Sequence, residues 1–409
     1  MTATTPPAEI GAIDAWKAFS GTHEAGALAR VLALDDFEPL ARRRLPRSIF
    51  GYVAGAAETR ASLHDNRNAF ADWAFVPRVL RNVAGRSQAT RLFGRDWAAP
   101  FGIAPMGIAA LSAYDGDRVL ARAAAAARIP FVLSGTSLTR LEEVVDAAPG
   151  SWFQAYLPGD TARIDALIER VRHAGVRTLV LTVDIPVAGN RENNIRAGFS
   201  TPLRPSLRLA WDGLSHPRWL FGTLARTLLT RGMPHFENSF AERGAPVISR
   251  NVERDFSRRE HLDLSHAARI RRHWAGELVI KGVLHPDDVV AARQLGADAV
   301  IVSNHGGRQL DGAVSPLRML PRIVEAAGPL PVMIDGGFRR GSDVLKALAL
   351  GAAFVFVGRP FNYAAAVGGQ AGVARAIALL REEIDRNLAM LGVTTPQALD
   401  PGFLHPMHP

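Results

Sequence analysis

Eight short apolar runs, spaced from Pro100 onward, constrain the fold of this chain more than any other feature. They are Phe101–Pro105, Phe131–Gly135, Trp152–Tyr156, Thr178–Asp184, Leu278–Gly282, Ala299–His305, Val332–Gly337 and Phe354–Arg359. Amphipathic stretches such as Arg118–Arg128, Leu138–Ala147, Arg163–His173, Pro286–Leu295 and Gly341–Leu350 separate most of them. Continuous apolar strands alternating with helices indicate a parallel sheet covered on both faces. Eight such units fit an α/β protein of the (β/α)8 TIM-barrel type, with an open doubly wound sheet as the alternative.

Two segments lie outside the eight units. Residues 36–75, with the helical pattern Asp36–Arg44 followed by Leu45–Tyr52, read as an N-terminal helical cap. Residues 196–262 form a long insertion after the fourth strand, and a connection of that length is functional or mobile more often than not. Residues 1–35 read as a flexible extension and 396–409 as a C-terminal tail, leaving 36–395 as the barrel domain.

Of the 409 residues, 48% are hydrophobic and 21% charged, enough apolar material for a large core. The absence of cysteine excludes disulfides, thiolate metal sites, cysteine nucleophiles and iron–sulfur clusters. Met1–Arg30 lacks a basic start followed by an apolar core, so no secretory signal is expected. No run of about 18 uncharged apolar residues is present, so no bilayer-spanning helix is expected either. The surplus of 48 Lys and Arg over 39 Asp and Glu, +9, suits anionic lipid or nucleic acid, or simply an arginine-rich solvated surface.

Barrel enzymes keep their chemistry at the C-terminal strand ends, and here those ends are polar. The sixth run stops on Ser303-Asn304-His305, turns on Gly306-Gly307 and presents Arg308. That places a base of near-neutral pKa beside a guanidinium able to hold a carboxylate bidentately. Asp184 ends the fourth run and can orient His305, and a second guanidinium follows at Arg191. Lys281 ends the fifth run, where an ammonium beside a redox ring stabilises negative charge. The segments Asp335–Gly341 and Gly358-Arg359 end the seventh and eighth runs, the usual phosphate site of this fold. Any one of these residues is equally well a structural ion pair or hydrogen-bond partner. Their joint placement is what points to a site.

The nonapeptide Ser303–Asp311 resembles the signature of the FMN-dependent L-2-hydroxy acid oxidases and dehydrogenases, the family of glycolate oxidase, L-lactate dehydrogenase and (S)-mandelate dehydrogenase. The likeness runs from about residue 36 to 395 through Leu45–Glu58, Trp152–Tyr156, Thr182–Asp184, Arg191, Lys281-Gly282, Asp335–Gly341 and Gly358-Arg359. It implies non-covalent FMN in a TIM barrel. His305 is then the active-site base with Asp184 its partner, and Arg308, Arg191 and Tyr52 hold the substrate carboxylate. Tyr156 bonds the substrate hydroxyl, and Lys281 lies at the N1/O2 edge of the flavin. Pro105, Met106, Gly107, Ser134, Gln154, Thr182 and Ser303 line the isoalloxazine and ribityl chain. Asp335, Gly337, Arg339, Gly358 and Arg359 hold the ribityl and phosphate end. The resemblance also implies a homotetramer.

Three departures bear on subtype. Thr136 stands where glycolate oxidases carry tryptophan, which opens the pocket to a lactate-sized or aromatic substrate. Gly107 stands where oxidases usually have alanine, which leans toward a dehydrogenase with poor oxygen reactivity. Met106 replaces the more usual threonine or valine.

Between Arg196 and His235 the insertion has six arginines (196, 204, 208, 218, 226 and 231) and one acid, Asp212. Leucines, Trp211, Trp219 and Phe221 are interleaved, the composition of an interfacial helix on anionic lipid. The insertion of (S)-mandelate dehydrogenase looks similar and is membrane-associating. The expectation is a peripheral contact through 200–235 on the inner face of the cell membrane, with a cytoplasmic protein passing electrons to a quinone. The alternative is a covering helix packed on the barrel or a neighbouring subunit. Competing functions are a same-family oxidase producing peroxide, another FMN barrel enzyme, and a membrane-surface or nucleic-acid scaffold without flavin. The His305/Arg308/Arg191 set favours the hydroxy acid enzyme with no nucleic-acid partner and no metal.

Overall fold

Eight strands form one parallel sheet: β1 (Phe101–Ile103), β2 (Val132–Ser134), β3 (Trp152–Ala155), β4 (Thr178–Thr182), β5 (Glu277–Val283), β6 (Ala299–Val302), β7 (Val332–Asp335) and β8 (Phe354–Val357). This computed structural model describes residues 17, 19, 22–249 and 259–407. Neighbours in sequence are neighbours in the sheet, and β8 returns to pair with β1, Val355 opposite Phe101. The ring is closed between β1 and β2 by a parallel bridge of Ile103 to Phe131. The architecture is the eight-stranded α/β barrel expected from the alternation. Most of the apolar runs continue past their strand. Pro105, Gly135, Tyr156, Asp184, His305 and Gly337 have left the ladder and form the barrel mouth, because apolar continuity reports burial and not hydrogen bonding.

Side chains fill the barrel interior, as period-two strands covered on both faces require. Val132, Trp152, Val180, Val279, Ile301, Met333, Phe354 and Phe356 form the inner core. Its N-terminal end is stoppered by the hairpin Thr90–Leu92/Arg95–Trp97, with Phe93 5.5 Å from Trp152. A larger core lies between the strands and the surrounding helices.

Described residues of both terminal segments are part of the fold. The extension read as flexible over 1–35 is helical over Thr22–Ala29, and Leu28, Val31 and Leu34 are buried. Those apolar side chains meet the C-terminal helix, Leu28 lying beside Gly368. Residues 1–16 of that extension lie outside the described residues. The segment read as a tail includes Leu404–Pro406, which pairs antiparallel with Trp73–Phe75 of the cap.

Among the described residues one helix, Arg359–Leu391, is long and apolar enough to cross a bilayer by length and composition. Of its most apolar stretch 72% is buried in the protein, and its backbone breaks at Gly368-Gly369, so it is a core helix.

The helix Glu192–Ala197 leads into the insertion, which carries the helix Leu207–Leu214 and a helical run over Pro217–Arg231, whose central turn, Leu220–Ala225, widens to a π-helix. Trp219 ties it down: 6% exposed, it donates its indole N–H to the Leu111 carbonyl at 2.6 Å. Part of the insertion, 250–258, lies outside the described residues.

Candidate active site

The C-terminal strand ends enclose a cavity of about 240 Å³. At its centre is His305, just past β6. Its backbone N–H donates to Ser303 Oγ at 3.0 Å. Its Nδ1 lies 3.0 and 3.2 Å from the two oxygens of Asp184, just past β4. An ionised carboxylate only accepts, so Nδ1 carries the proton and Nε2 offers its lone pair. The Tyr156 hydroxyl lies 3.4 Å from that lone pair. Burial lowers the His305 pKa against the pull of Asp184, and Lys281 and Arg191 lower it further. Burial thus favours the neutral imidazole, the state a base needs. Burial also opposes the Asp184 charge, but His305 and Lys281 outweigh it and hold the carboxyl below its ordinary range. Burial and the Asp184 charge push the Tyr156 phenol well above its ordinary value, so it stays a donor.

Cations gather on the next wall. Arg308 Nη1 donates to the carbonyls of Tyr52 and Gly55 at 2.7 and 2.9 Å, and its guanidinium lies 4.8 Å from the centre of the Tyr52 ring. Arg191 donates to the Arg308 carbonyl at 3.0 Å and to Gln309 Oε1. Arg359 donates to the carbonyls of Val53, Gly55 and Gly306. These partners are amide oxygens, not carboxylates. Burial and then the Arg191 charge lower the Arg308 pKa, and burial lowers that of Arg359. Guanidiniums destabilised in this way are stabilised by anions entering the cavity.

Lys281 is buried, bonded to Ser303 Oγ at 2.7 Å and paired with Asp335 at 2.8 Å. Buried polar atoms of cavity-lining residues without a protein hydrogen-bond partner among the described residues include Gln154 Nε2, Thr182 Oγ1, Asp335 Oδ1 and Asn362 Oδ1. Unsatisfied buried polar groups call for a ligand. Donors and acceptors in the cavity lining, together with Gly337, Arg339, Gly358 and Arg359, suit a polar heterocycle with a hydroxylated chain and a phosphate. The residues present fit FMN.

Of the residues singled out in the sequence, Tyr52, Pro105, Met106, Gly107, Thr136, Gln154, Tyr156, Thr182, Arg191, Lys281, His305, Arg308, Asp335, Gly337, Arg339, Gly358 and Arg359 line this one cavity. Asp184, Ser134 and Ser303 stand one layer behind. Ser134 Oγ donates to Gln154 at 3.2 Å and lies 3.1 Å from Thr136 Oγ1. Sequence reasoning missed Arg259, which lies 5.3 Å from the Tyr156 ring centre, and Phe236 and Thr201, which also reach the cavity from the insertion. It missed Asn362, three residues after Arg359 and so on the same helix face, a spacing that carried a usable signal. It also missed Asp35, which pairs with Arg339 at 3.2 Å from the segment read as flexible.

The sequence pattern of FMN-dependent dehydrogenases matches residues 41–406. The chain is 40% identical over 373 residues to the L-lactate dehydrogenase of Xanthomonas campestris pv. campestris (strain 8004), covering 88% of this chain and 94% of that one. It is 38% identical over 380 residues to the (S)-mandelate dehydrogenase of Pseudomonas putida, covering 91% and 93%. The solved structure of the monotopic membrane protein (S)-mandelate dehydrogenase superposes with a TM-score of 0.83 at 34% identity, over 92% of this chain and all of the other. This chain belongs to the FMN-dependent dehydrogenase family, an oxidoreductase with FMN as its cofactor.

Proposed function

We propose that the protein oxidises an L-2-hydroxy acid of the mandelate or lactate type to the 2-oxo acid and passes the electrons to a membrane quinone. The observation that carries this reading is the convergence of the His305 lone pair, the Tyr156 hydroxyl and the Arg308 and Arg191 side chains on one cavity. The oxidation removes two electrons and two protons from the substrate, and bound FMN supplies the two-electron sink. Arg308 and Arg191, with the Tyr52 hydroxyl, hold the substrate carboxylate. Tyr156 orients the hydroxyl. His305 takes a proton at Nε2, and Asp184 stabilises the imidazolium that results. Lys281 steadies negative charge beside the cofactor.

The remaining wall supports a side chain larger than methyl. Ile185, Ala188 and Phe236 are apolar, and Thr136 is small. We therefore rank mandelate above lactate.

The insertion supports peripheral membrane binding. Leu207 is 91% exposed, Trp211 72%, Phe221 70% and Leu229 87%, among arginines. Scattered exposed apolar residues are ordinary, but an apolar cluster with a basic rim is what an interfacial helix presents to lipid. This supports a cytoplasmic protein held on the inner face of the membrane, a quinone as acceptor in place of oxygen, and no nucleic-acid partner. A homotetramer accords with the family likeness.

The test is anaerobic bleaching of the flavin spectrum by (S)-mandelate and by L-lactate, followed by air or a quinone. Bleaching, slow recovery in air and fast recovery with quinone are expected. Fast recovery in air would make the protein an oxidase, and no bleaching with either acid would remove the substrate class.

A further inference from the structure

The one acid in the basic stretch Arg196–His235, Asp212, does not face the surface its neighbours expose. Its carboxylate reaches back to the first turn of the helix Arg47–Ala54, the helix that carries Tyr52. Oδ1 accepts the Arg47 backbone N–H at 2.8 Å, and Oδ2 accepts the Ser48 backbone N–H and the Ser48 hydroxyl, both at 2.9 Å. That helix has no cap of its own. It starts after Pro46, which has no side-chain acceptor for the first amides. Asp212 thus caps it from 164 residues away in sequence, with negative charge at the positive end of the helix.

The same helix is gripped twice more by chain leading into the insertion. Asn193 Nδ2 donates to the Gly51 carbonyl at 2.7 Å. Gly51 packs so closely on the helix Glu192–Ala197 that a Cβ there would lie 2.4 Å from the Ala197 Cβ. The Tyr52 ring then sits between the Phe199 ring, centroids 4.5 Å apart, and the Arg308 guanidinium. Residues 193–212 therefore supply much of the hold on the Tyr52 helix, beside Arg308, the Arg359 bonds to the Val53 and Gly55 carbonyls and the Tyr363 ring stacked on Phe50. Asp212 lies on the helix Leu207–Leu214, between Trp211 and Leu214, both exposed.

We infer that Asp212 is a positioning residue for Tyr52, so that the lipid-facing helix sets how tightly the active site holds its substrate carboxylate. This rests on the reading of Tyr52 as a carboxylate ligand. Asp212 touches neither the cavity nor the groups that hold FMN. Its loss frees the first turn of the Tyr52 helix and leaves His305, Asp184 and Lys281 in place. Affinity falls and the chemical step does not.

The experiment is anaerobic stopped-flow reduction of the holoenzyme by (S)-mandelate, giving an apparent Kd and a limiting rate. In Asp212→Ala the apparent Kd rises about fivefold, the worth of one helix cap, while the limiting rate moves less. Asp212→Asn keeps one amide acceptor and rises about twofold; it serves if the alanine variant folds poorly. Tyr52→Phe also weakens binding. If Asp212 acts through Tyr52, the Tyr52→Phe/Asp212→Ala enzyme binds no more weakly than Tyr52→Phe alone. Multiplied effects in the double variant, or an unchanged Kd in both Asp212 variants, overturn the inference while leaving Tyr52 as a ligand. An unchanged Kd in Tyr52→Phe overturns the reading of Tyr52 itself.

Discussion

His305 holds its Nδ1 3.0 Å from Asp184 with a left-handed backbone, φ 58°. A non-glycine residue in that region costs on the order of 1 kcal/mol or more. Here the turn swings the imidazole from the end of β6 back over the barrel mouth, toward an acid that follows β4. The Ser303 hydroxyl, which accepts the His305 amide, supports the turn.

Replacing His305 with glutamine keeps side-chain polarity and removes the basic nitrogen. The atoms that fit FMN belong to other residues, so His305→Gln is expected to purify with flavin. Reduction by substrate should fall by about 10²–10⁴, the usual contribution of a general base. Anaerobic flavin reduction measures it. Normal turnover would remove His305 as the base.

The pH dependence follows from the same pair. Burial sets the His305 pKa below the ordinary histidine value, with Asp184 pulling up and Lys281 and Arg191 pushing down. The base must be neutral, so activity is present above that pKa and is lost as pH falls through it. The acid limb of kcat/KM should therefore lie below the ordinary histidine range. Asp184→Asn removes the group that raises the pKa, so its acid limb should move to still lower pH. Its maximal rate should also fall, because the imidazolium loses its stabiliser. A limb that moves upward would contradict the assignment.

Most of the barrel was legible because buried parallel strands read as uninterrupted apolar runs, and all eight were found where strands occur. Strand ends were less legible: Asp184 and His305 continue their runs in sequence but not in the ladder. The residues that line the cavity at those ends could be placed together in advance because the fold brings strand ends together whatever their separation. Asp35, Phe236 and Arg259 could not, since they arrive by packing of segments with no periodic signal. Asp212 gave a faint sign as a solitary acid among arginines, without any sign of its partner.

Gly107 gives a further test. A Cβ on it would lie 2.2 Å from Thr136 Oγ1 and 3.1 Å from the Tyr52 hydroxyl. Gly107→Ala must therefore turn the Thr136 side chain out of its contact with Ser134, 3.1 Å away, or shift Tyr52. Substrate affinity should fall by several-fold, within the roughly 1–3 kcal/mol typical of overpacking. Adding Thr136→Ala removes the clash and should restore most of the loss. A double variant no better than the single one would place the strain elsewhere.

The surface proposed to meet lipid separates two ways of disrupting the insertion. Substituting Leu207, Trp211, Phe221 and Leu229 with glutamate removes exposed apolar area and cancels most of the local positive charge without touching Trp219, which anchors the helix at Leu111. This variant should move from the pellet to the supernatant in sedimentation with vesicles rich in phosphatidylglycerol, and should still be reduced by substrate. In the unsubstituted protein, raising salt should weaken vesicle binding only in part, because ion screening reaches the arginines and not the apolar side chains. Deleting residues 200–235 should also release the protein. That deletion takes Asp212 and the Trp219 anchor with it, so substrate affinity should fall in the deletion and hold in the glutamate variant. Undiminished sedimentation of the glutamate variant would mean that this face is not what meets the bilayer.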